Sequence, residues 1–173
     1  KDVVLNPKKS NQGAMAVHLI IQGPIISWSP KSKSQVQYDS TENILSIIDR
    51  FGRIFQSIHI VTWASEATEA LERGLAESSI KNVVLKKIDD PGRGEDIFGP
   101  LPDNRLRQYF SSFEGLLSVN GFSSSDDACI KIRTDQYLDL DILYGELIAI
   151  ISNDKSKIVF PFALPCDLYS VGD

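Results

Sequence analysis

The fold is decided by HLIIQ at 18–22, SIHIVT at 57–62 and the helical pattern that separates them. Short apolar runs rich in β-branched residues predict buried strands. The residues between them predict a helix, for which Ser40 and Thr41 supply the N-cap chemistry. Its apolar positions are Ile44, Leu45, Ile47, Ile48, Phe51, Ile54 and Phe55. Strands that alternate with helices predict a mostly parallel sheet covered by helices.

The same alternation continues along the rest of the chain. Further strands are predicted at 82–85, 128–132 and 157–160, and further helices at 67–75, 106–117 and 142–151. We therefore expect a three-layer α/β fold, with a mainly parallel sheet and helices on both faces in a Rossmann-like arrangement. The expected domain covers 16–173, and the polar, patternless residues 1–15 are expected to form a flexible arm.

Charge and cysteine content narrow the function classes. The 18 Lys and Arg against 23 Asp and Glu give a formal net charge of −5, which argues against a nucleic-acid binder. A small anionic ligand remains compatible, because a local Arg cluster and backbone N–H groups can hold it. Two cysteines, Cys129 and Cys166, are too few for a disulfide framework and favour a reducing, cytoplasmic location. His18 and His59 lie inside apolar runs and are interpreted as strand residues, not metal ligands.

Ligands of such sheets bind beyond the carboxyl ends of the strands, so the residues that follow each strand are the candidates. Gln22-Gly23-Pro24 either brings backbone close to a ligand or forms an ordinary turn. Trp63 either stacks on a nucleobase or sugar or fills the core, and Asp90 either bonds a ribose hydroxyl or a base edge or caps a Pro-Gly turn. The loops predicted at 23–39 and 89–103 are both expected to line one cleft.

The helix that starts near residue 104 carries a polar stripe opposite its apolar residues. The stripe consists of Asn104, Gln108, Ser111 and Gly115, at i, i+4, i+7 and i+11. Arg105 and Arg107 flank its N-terminal end, where a helix favours bound anions. The stripe is therefore either part of an anion site or a solvated face, and its small residues favour contact with another group.

The fourth strand has the most distinctive charge pattern. Lys131, Arg133 and Asp135 alternate and share one strand face, where charges are costly unless they are paired or face a ligand. One interpretation is a carboxylate aimed at a metal-diphosphate or a sugar hydroxyl. The other is a buried Arg–Asp salt bridge, followed by a helix cap at Asp139 or Asp141.

Four segments together resemble the WavE-type lipopolysaccharide-synthesis family, which is assigned to the glycosyltransferases. They are IIQGPI at 20–25, IVTW at 60–63, NRLRQYFSS at 104–112 with Gly115-Leu116, and KIRTD at 131–135. Their order and spacing cover the chain from about His18 to Asp139. The family continues past the segment that resembles 166–173, so the resemblance implies a chain truncated before an acceptor-binding part.

The resemblance implies a GT-A-like fold and transfer of a sugar from a nucleotide sugar to a surface glycan of the lipopolysaccharide type. A lipid-linked acceptor would bring the protein to the inner face of the membrane. Asp135 stands where such enzymes place the first carboxylate of a metal-binding Asp-x-Asp, but Tyr137 occupies the third position. Either Asp135 and Asp139 share a divalent cation, Mn or Mg, or arginines neutralise the leaving diphosphate without one. Those arginines are Arg105, Arg107 and Arg133.

The predicted site combines these groups. Its donor-binding residues are Gln22, Gly23, Pro24, Trp63, Asp90, Asn104, Arg105, Arg107, Gln108 and Lys131, and its catalytic residues are Asp135 and Arg133. The general base that an inverting transferase needs is expected beyond residue 173 or in the loop 93–103, where Glu95 and Asp96 are candidates. Two other functions stay open: a metal-dependent phosphoesterase that uses Asp89, Asp90 and Asp135, and a non-catalytic nucleotide- or glycan-binding module.

Overall fold

A computed structural model describes residues 16–28, 37–92, 104–119 and 127–153. The elements are β1 (Val17–Gln22), β2 (Ile26–Trp28), β3 (Gln37–Asp39), α1 (Thr41–Phe51), β4 (Ser57–Trp63), α2 (Glu69–Glu77), β5 (Val83–Ile88), α3 (Arg105–Ser118), β6 (Ala128–Arg133) and α4 (Leu140–Asn153). The chain divides into two units, one ending at Leu138 and one starting at Asp139 that contains α4. The predicted arm at 1–15 and the predicted strand at 157–160 lie outside the described residues.

The main sheet has four parallel strands in the order β5-β4-β1-β6. This confirms the predicted α/β class with a parallel sheet and helices on both faces. β1 is central, and all of its residues are buried, which is why its sequence is an almost continuous apolar run. The chain moves outward from β1 to β4 and β5, and then returns to place β6 on the other side of β1. The order therefore reverses between β1 and β6, where ligands of such sheets bind.

The reversal in strand order also separates the helices. Because crossovers between parallel strands are right-handed, α3 packs on the sheet face opposite to α1 and α2. α1 is held to its side by four buried apolar residues, Ile44, Ile47, Ile48 and Phe51. α2 packs beside it, with the backbone of Gly74 against Leu45. On the other face, α3 contacts β1, β4 and β5.

The orientation of α3 differs from what its amphipathic pattern suggests. The two small residues of the stripe lie against the sheet, while Asn104 and Gln108 are exposed: Ser111 is 1% exposed, and a Cβ added to Gly115 would lie 2.6 Å from Cγ2 of Ile20. Four of its apolar residues lie on the outer side, with Tyr109 66%, Phe113 57%, Leu116 46% and Leu117 52% exposed. Small residues allow the helix to approach the strands closely, so the packing face is the one that carries them.

Three smaller differences concern the segment before and within α1. The segment 23–39, predicted as a loop, contains an antiparallel pair formed by β2 and β3. Asp39 Oδ1, not the predicted Ser40 side chain, accepts a hydrogen bond at 2.8 Å from Thr41 N, at the first residue of the helix. The helix ends at Phe51, so the predicted positions Ile54 and Phe55 lie beyond it. Among the described residues, no helix is both long and apolar enough to cross a membrane.

Candidate functional site

Hydrogen bonds join the carboxyl ends of β1, β4 and β6. Gly23 N donates to Val61 O at 3.1 Å, and Thr134 N donates to Gln22 O at 3.1 Å. Thr134 Oγ1 donates to Pro24 O at 2.7 Å. Gly23 has φ +129°, and a Cβ added there would lie 3.1 Å from Thr134 Oγ1. Both the backbone conformation and the close approach require glycine at this position.

A cavity of ≈ 920 Å³ opens above these strand ends. Its wall includes most of the predicted site: Gln22, Gly23, Pro24, Trp63, Asp90, Asn104, Arg107, Gln108, Arg133 and Asp135. These residues come from the ends of four strands and the start of α3, which places them at the carboxyl edge of the sheet. The structure therefore brings residues that are far apart in sequence into one concave site of the size typical for small ligands.

Other wall residues were missed by the sequence interpretation. They are Ile26, Ser27, Tyr38, Ser65, Glu66 and Ser111. Ile26, Ser27 and Tyr38 belong to β2 and β3, within the segment 23–39 that was expected to line the cleft as a loop, but they were not named individually. Ser111 belongs to the small stripe of α3, whose spacing did indicate a contact but not its partner.

One wall is formed by an ion pair between the end of β5 and α3. Arg107 Nε donates to Asp90 Oδ1 at 2.7 Å, and Arg107 Nη2 donates to Asp90 Oδ2. The hydrogen bond to Asp90 raises the pKa of Arg107. Gly92 N also donates to Asp90 Oδ1 at 3.0 Å. Asp90 therefore caps the Pro-Gly turn and lines the cavity, so its two proposed roles are compatible.

The opposite wall is formed by Arg133 and Asp135. The guanidinium of Arg133 donates two hydrogen bonds to the Asp135 carboxylate, at 2.8 and 2.7 Å. The predicted ion pair is thus present, but it is not buried, since the side chains are 44% and 33% exposed. Asn43 Nδ2 on α1 donates to Thr134 O at 2.7 Å and to Gln136 O at 3.0 Å, which fixes the turn that carries Asp135.

Trp63 and Glu66 shape the side of the cavity next to β4. Trp63 is 6% exposed and packs in an apolar cluster with Val61, Ile88 and Phe110, while its remaining surface lines the cavity. Glu66 Oε2 accepts hydrogen bonds from Ile25 N at 2.6 Å and Thr62 Oγ1 at 2.8 Å. Burial raises the pKa of Glu66. Because Ile25 precedes β2, this carboxyl group ties the end of β4 to the strand pair that forms another wall.

Three predicted site residues are not part of the cavity wall. Arg105 is exposed at the start of α3, and Lys131 lies two residues before Arg133 on β6, where desolvation and then the charge of Arg133 lower its pKa. Asp139 belongs to the second unit, where its Oδ1 accepts hydrogen bonds from Asp141 N at 3.2 Å and Ile142 N at 3.4 Å. This is the helix cap that one interpretation of the sequence predicted.

The predicted metal pair and general base stay predictions. Across 16–28, 37–92, 104–119 and 127–153, no group of three or more His, Cys, Asp or Glu is arranged to hold a metal ion. The cavity wall nonetheless carries three carboxyl groups, on Glu66, Asp90 and Asp135. The candidate bases Glu95 and Asp96 lie outside the described residues.

A second polar cluster lies between α3 and the strands, at the other end of the sheet. Ser57 Oγ lies 2.7 Å from both His18 Nδ1 and His59 Nε2, and His59 Nδ1 lies 2.9 Å from Ser118 Oγ. Burial, with smaller effects of His18 and Lys86, lowers the pKa of His59 to about 4. Both histidines are strand residues, as their apolar neighbours predicted.

Comparison of this chain with known protein families, curated proteins and solved structures found no match. The resemblance to the WavE-type family therefore rests on the four sequence segments. Each of the four contributes residues to the cavity wall, through Gln22, Trp63, Arg107 and Arg133 among others.

Proposed function

We propose that this chain is the nucleotide-sugar-binding part of a glycosyltransferase that transfers a sugar to a surface glycan. One observation carries the proposal: the cavity lies where the strand order reverses and combines an aromatic surface with two arginines and three carboxyl groups. A nucleotide sugar presents a flat base, a polyol and a diphosphate, and these match that combination.

In this proposal, different residues of the cavity wall bind the base, the ribose, the diphosphate and the donor sugar. Trp63 and Tyr38 offer aromatic surface for the base, and Asp90 offers acceptors for a ribose hydroxyl or a base edge. Arg107 and Arg133 would stabilise the charge that develops on the leaving diphosphate. Asp135 would bind a donor-sugar hydroxyl. The acceptor in this proposal is a glycan or a lipid-linked glycan, which would place the protein at the inner face of the membrane.

Both arginines are already paired with carboxylates, which sets a condition on ligand binding. A diphosphate must compete with Asp90 for Arg107 and with Asp135 for Arg133. A divalent cation such as Mg²⁺ or Mn²⁺ favours carboxylate and phosphate oxygens, and it would supply further positive charge for the leaving group. Such an ion would also occupy the carboxylates and leave the guanidinium groups to the ligand.

The paired arginines also support a second candidate, a non-catalytic nucleotide- or glycan-binding module. In such a module the two ion pairs would hold the walls in shape, and the ligand would bind without turnover. The two candidates share the cavity and differ only in whether the donor is consumed.

The first test is thermal unfolding with nucleoside diphosphates and nucleotide sugars, with and without Mn²⁺. A ligand at a hundred times its dissociation constant stabilises the folded state by about 2.7 kcal/mol, which raises the melting temperature measurably. We expect this shift to be lost in Arg107→Ala and Arg133→Ala but kept in Arg73→Ala, which alters an exposed residue of α2. If no nucleotide shifts the folded wild-type protein, the proposal is wrong. Release of nucleoside diphosphate from a bound donor then separates the enzyme from the binding module.

A further inference from the structure

Gln22 belongs to the part of the cavity wall that the main sheet forms. It is the last residue of β1 and lies in register between Val61 of β4 and Arg133 of β6. Its side chain is 2% exposed, yet it lines the cavity. A polar side chain buried this deeply at the end of a central strand requires hydrogen-bond partners.

Among the described residues, one end of the Gln22 carboxamide has a hydrogen-bond partner. Ser111 Oγ donates to Gln22 Oε1 from the side of the sheet that α3 covers. Within the part of the chain that the structure describes, no hydrogen bond engages Gln22 Nε2. The amide nitrogen therefore retains two N–H donors for whatever occupies the cavity.

Ser111 holds the carboxamide in this orientation. Its Oγ also lies 2.7 Å from Arg107 O and 3.4 Å from Gln108 O, so the single hydroxyl proton is shared between Gln22 Oε1 and the first turn of α3. The same turn carries the Arg107 side chain that pairs with Asp90. The position of Gln22 is thus linked to the position of the cationic wall.

We infer that Gln22 is a specificity-determining residue that donates a hydrogen bond from Nε2 to an oxygen of the ligand. This inference rests on the proposed function and adds an atom-level contact to it. Gln22 lies between Trp63, where the base is placed, and Arg133, where the diphosphate is placed. The oxygen it reads is consequently a ribose or a phosphate oxygen, and both are hydrogen-bond acceptors.

The test is titration calorimetry of the 173-residue chain with a nucleoside, the matching nucleoside diphosphate and inorganic pyrophosphate. Gln22→Met keeps the side-chain length and removes both donors, and the Ser111 hydroxyl can then donate to Arg107 O, 2.7 Å away. We expect Gln22→Met to weaken nucleoside diphosphate binding about tenfold, which corresponds to about 1.4 kcal/mol. A parallel loss with the nucleoside assigns the contact to the ribose, and a parallel loss with pyrophosphate assigns it to phosphate.

Three further variants separate the contact from a general effect on the fold. Ser111→Ala leaves the donors in place without their anchor, so we expect a smaller loss of affinity. Ser112→Ala, one residue along the same helix, serves as the matched control and is expected to bind like the wild type. Gln22→Glu keeps the acceptor that Ser111 uses and removes both donors, so it is expected to bind at least as weakly as Gln22→Met.

The outcomes distinguish this inference from the proposed function. If the wild type binds the nucleoside diphosphate and folded Gln22→Met binds it within about twofold, the inference is wrong and the proposed function stands. Full affinity in Gln22→Glu would show that the cavity-facing atom is an acceptor and would also overturn it. A folded wild type that binds none of the three ligands overturns both proposals. Circular dichroism and melting of each variant without ligand show whether it is folded.

Discussion

Arg107 on the first turn of α3 holds the carboxylate of Asp90, which follows β5, through two hydrogen bonds across one side of the cavity. The pair closes that side of the site and neutralises a cation that the proposed ligand needs. A phosphate group that binds Arg107 must therefore displace the carboxylate of Asp90.

The first prediction follows from this competition. Asp90→Asn removes the competing charge, so we expect pyrophosphate to bind about three- to tenfold more tightly, in line with roughly 1 kcal/mol for a charge pair of this kind. Nucleoside binding is expected to weaken, because the amide offers one acceptor where the carboxylate offered two. Asp89→Asn changes the same net charge one residue earlier and is the control for calorimetry. Equal pyrophosphate affinity in both variants would contradict the competition.

The second prediction concerns the turn after β1. Gly23→Ala adds a Cβ at φ +129°, at 3.1 Å from Thr134 Oγ1. We expect it to lower the free energy of unfolding by about 1–3 kcal/mol and to reduce ligand binding, because strained backbone of this kind costs that much. Gly145→Ala in α4, where an added Cβ meets nothing within 4 Å, is expected to be neutral or stabilising. Urea unfolding of the two variants measures the difference.

The sequence did not predict which face of α3 packs against the sheet. The four parallel strands were recoverable because β-branched runs bounded by turn residues are a local signal, as at 18–22 and 57–62. The apolar positions of α3 also have helical spacing, but spacing does not tell which side packs. That depended on Gly115 and Ser111 fitting closely against the strands, and such a fit involves residues distant in sequence.

The candidate site was also predictable only where the signal is local in sequence. Residues at strand ends were found because every parallel strand ends at the same edge of the sheet. Tyr38 was not named within the segment 23–39, which was expected to line the cleft as a loop, and Glu66 was missed because it lies in a turn of polar residues. Their contribution depends on how β2 and β3 fold over the sheet, which Glu66 helps to fix through Ile25 N.

A third prediction tests the orientation of α3 directly. Gly115→Ala improves helix propensity by about 1 kcal/mol, but its Cβ would lie 2.6 Å from Ile20 Cγ2, and overpacking of this kind costs about 1–3 kcal/mol. We expect net destabilisation. Leu117→Ala on the outer face is expected to change the free energy of unfolding by less than about 0.5 kcal/mol, as exposed substitutions do. The reverse order of the two variants in urea unfolding would place the apolar face against the sheet.

The fourth prediction concerns Asn43, which lies on α1 and does not line the cavity. Its Nδ2 donates to Thr134 O and Gln136 O on either side of Asp135. Asn43→Asp replaces the donor with a carboxylate that repels both carbonyl oxygens, so we expect about 1–3 kcal/mol of destabilisation. We also expect weaker binding of nucleotides that depend on Asp135. Glu42→Gln, the neighbouring exposed residue, is the control, and unchanged binding in folded Asn43→Asp would show that the turn holds its shape without Asn43.

The fifth prediction concerns stability at acid pH and follows from the buried His59. Its pKa is lowered from 6.5 to about 4, so above pH 6.5 the imidazole is neutral in both the folded and the unfolded chain. Between pH 6.5 and about 4 the unfolded chain binds a proton that the folded chain does not, and stability must therefore fall as the pH falls. At about 1.4 kcal/mol for each pKa unit, the loss approaches 3 kcal/mol at pH 4. His59→Gln removes this titration and is expected to flatten the dependence, leaving the smaller contribution of His18, whose pKa burial also lowers. Urea unfolding at pH 7.5 and pH 5 measures both slopes, and an identical slope in the variant would show that His59 is not the group that titrates.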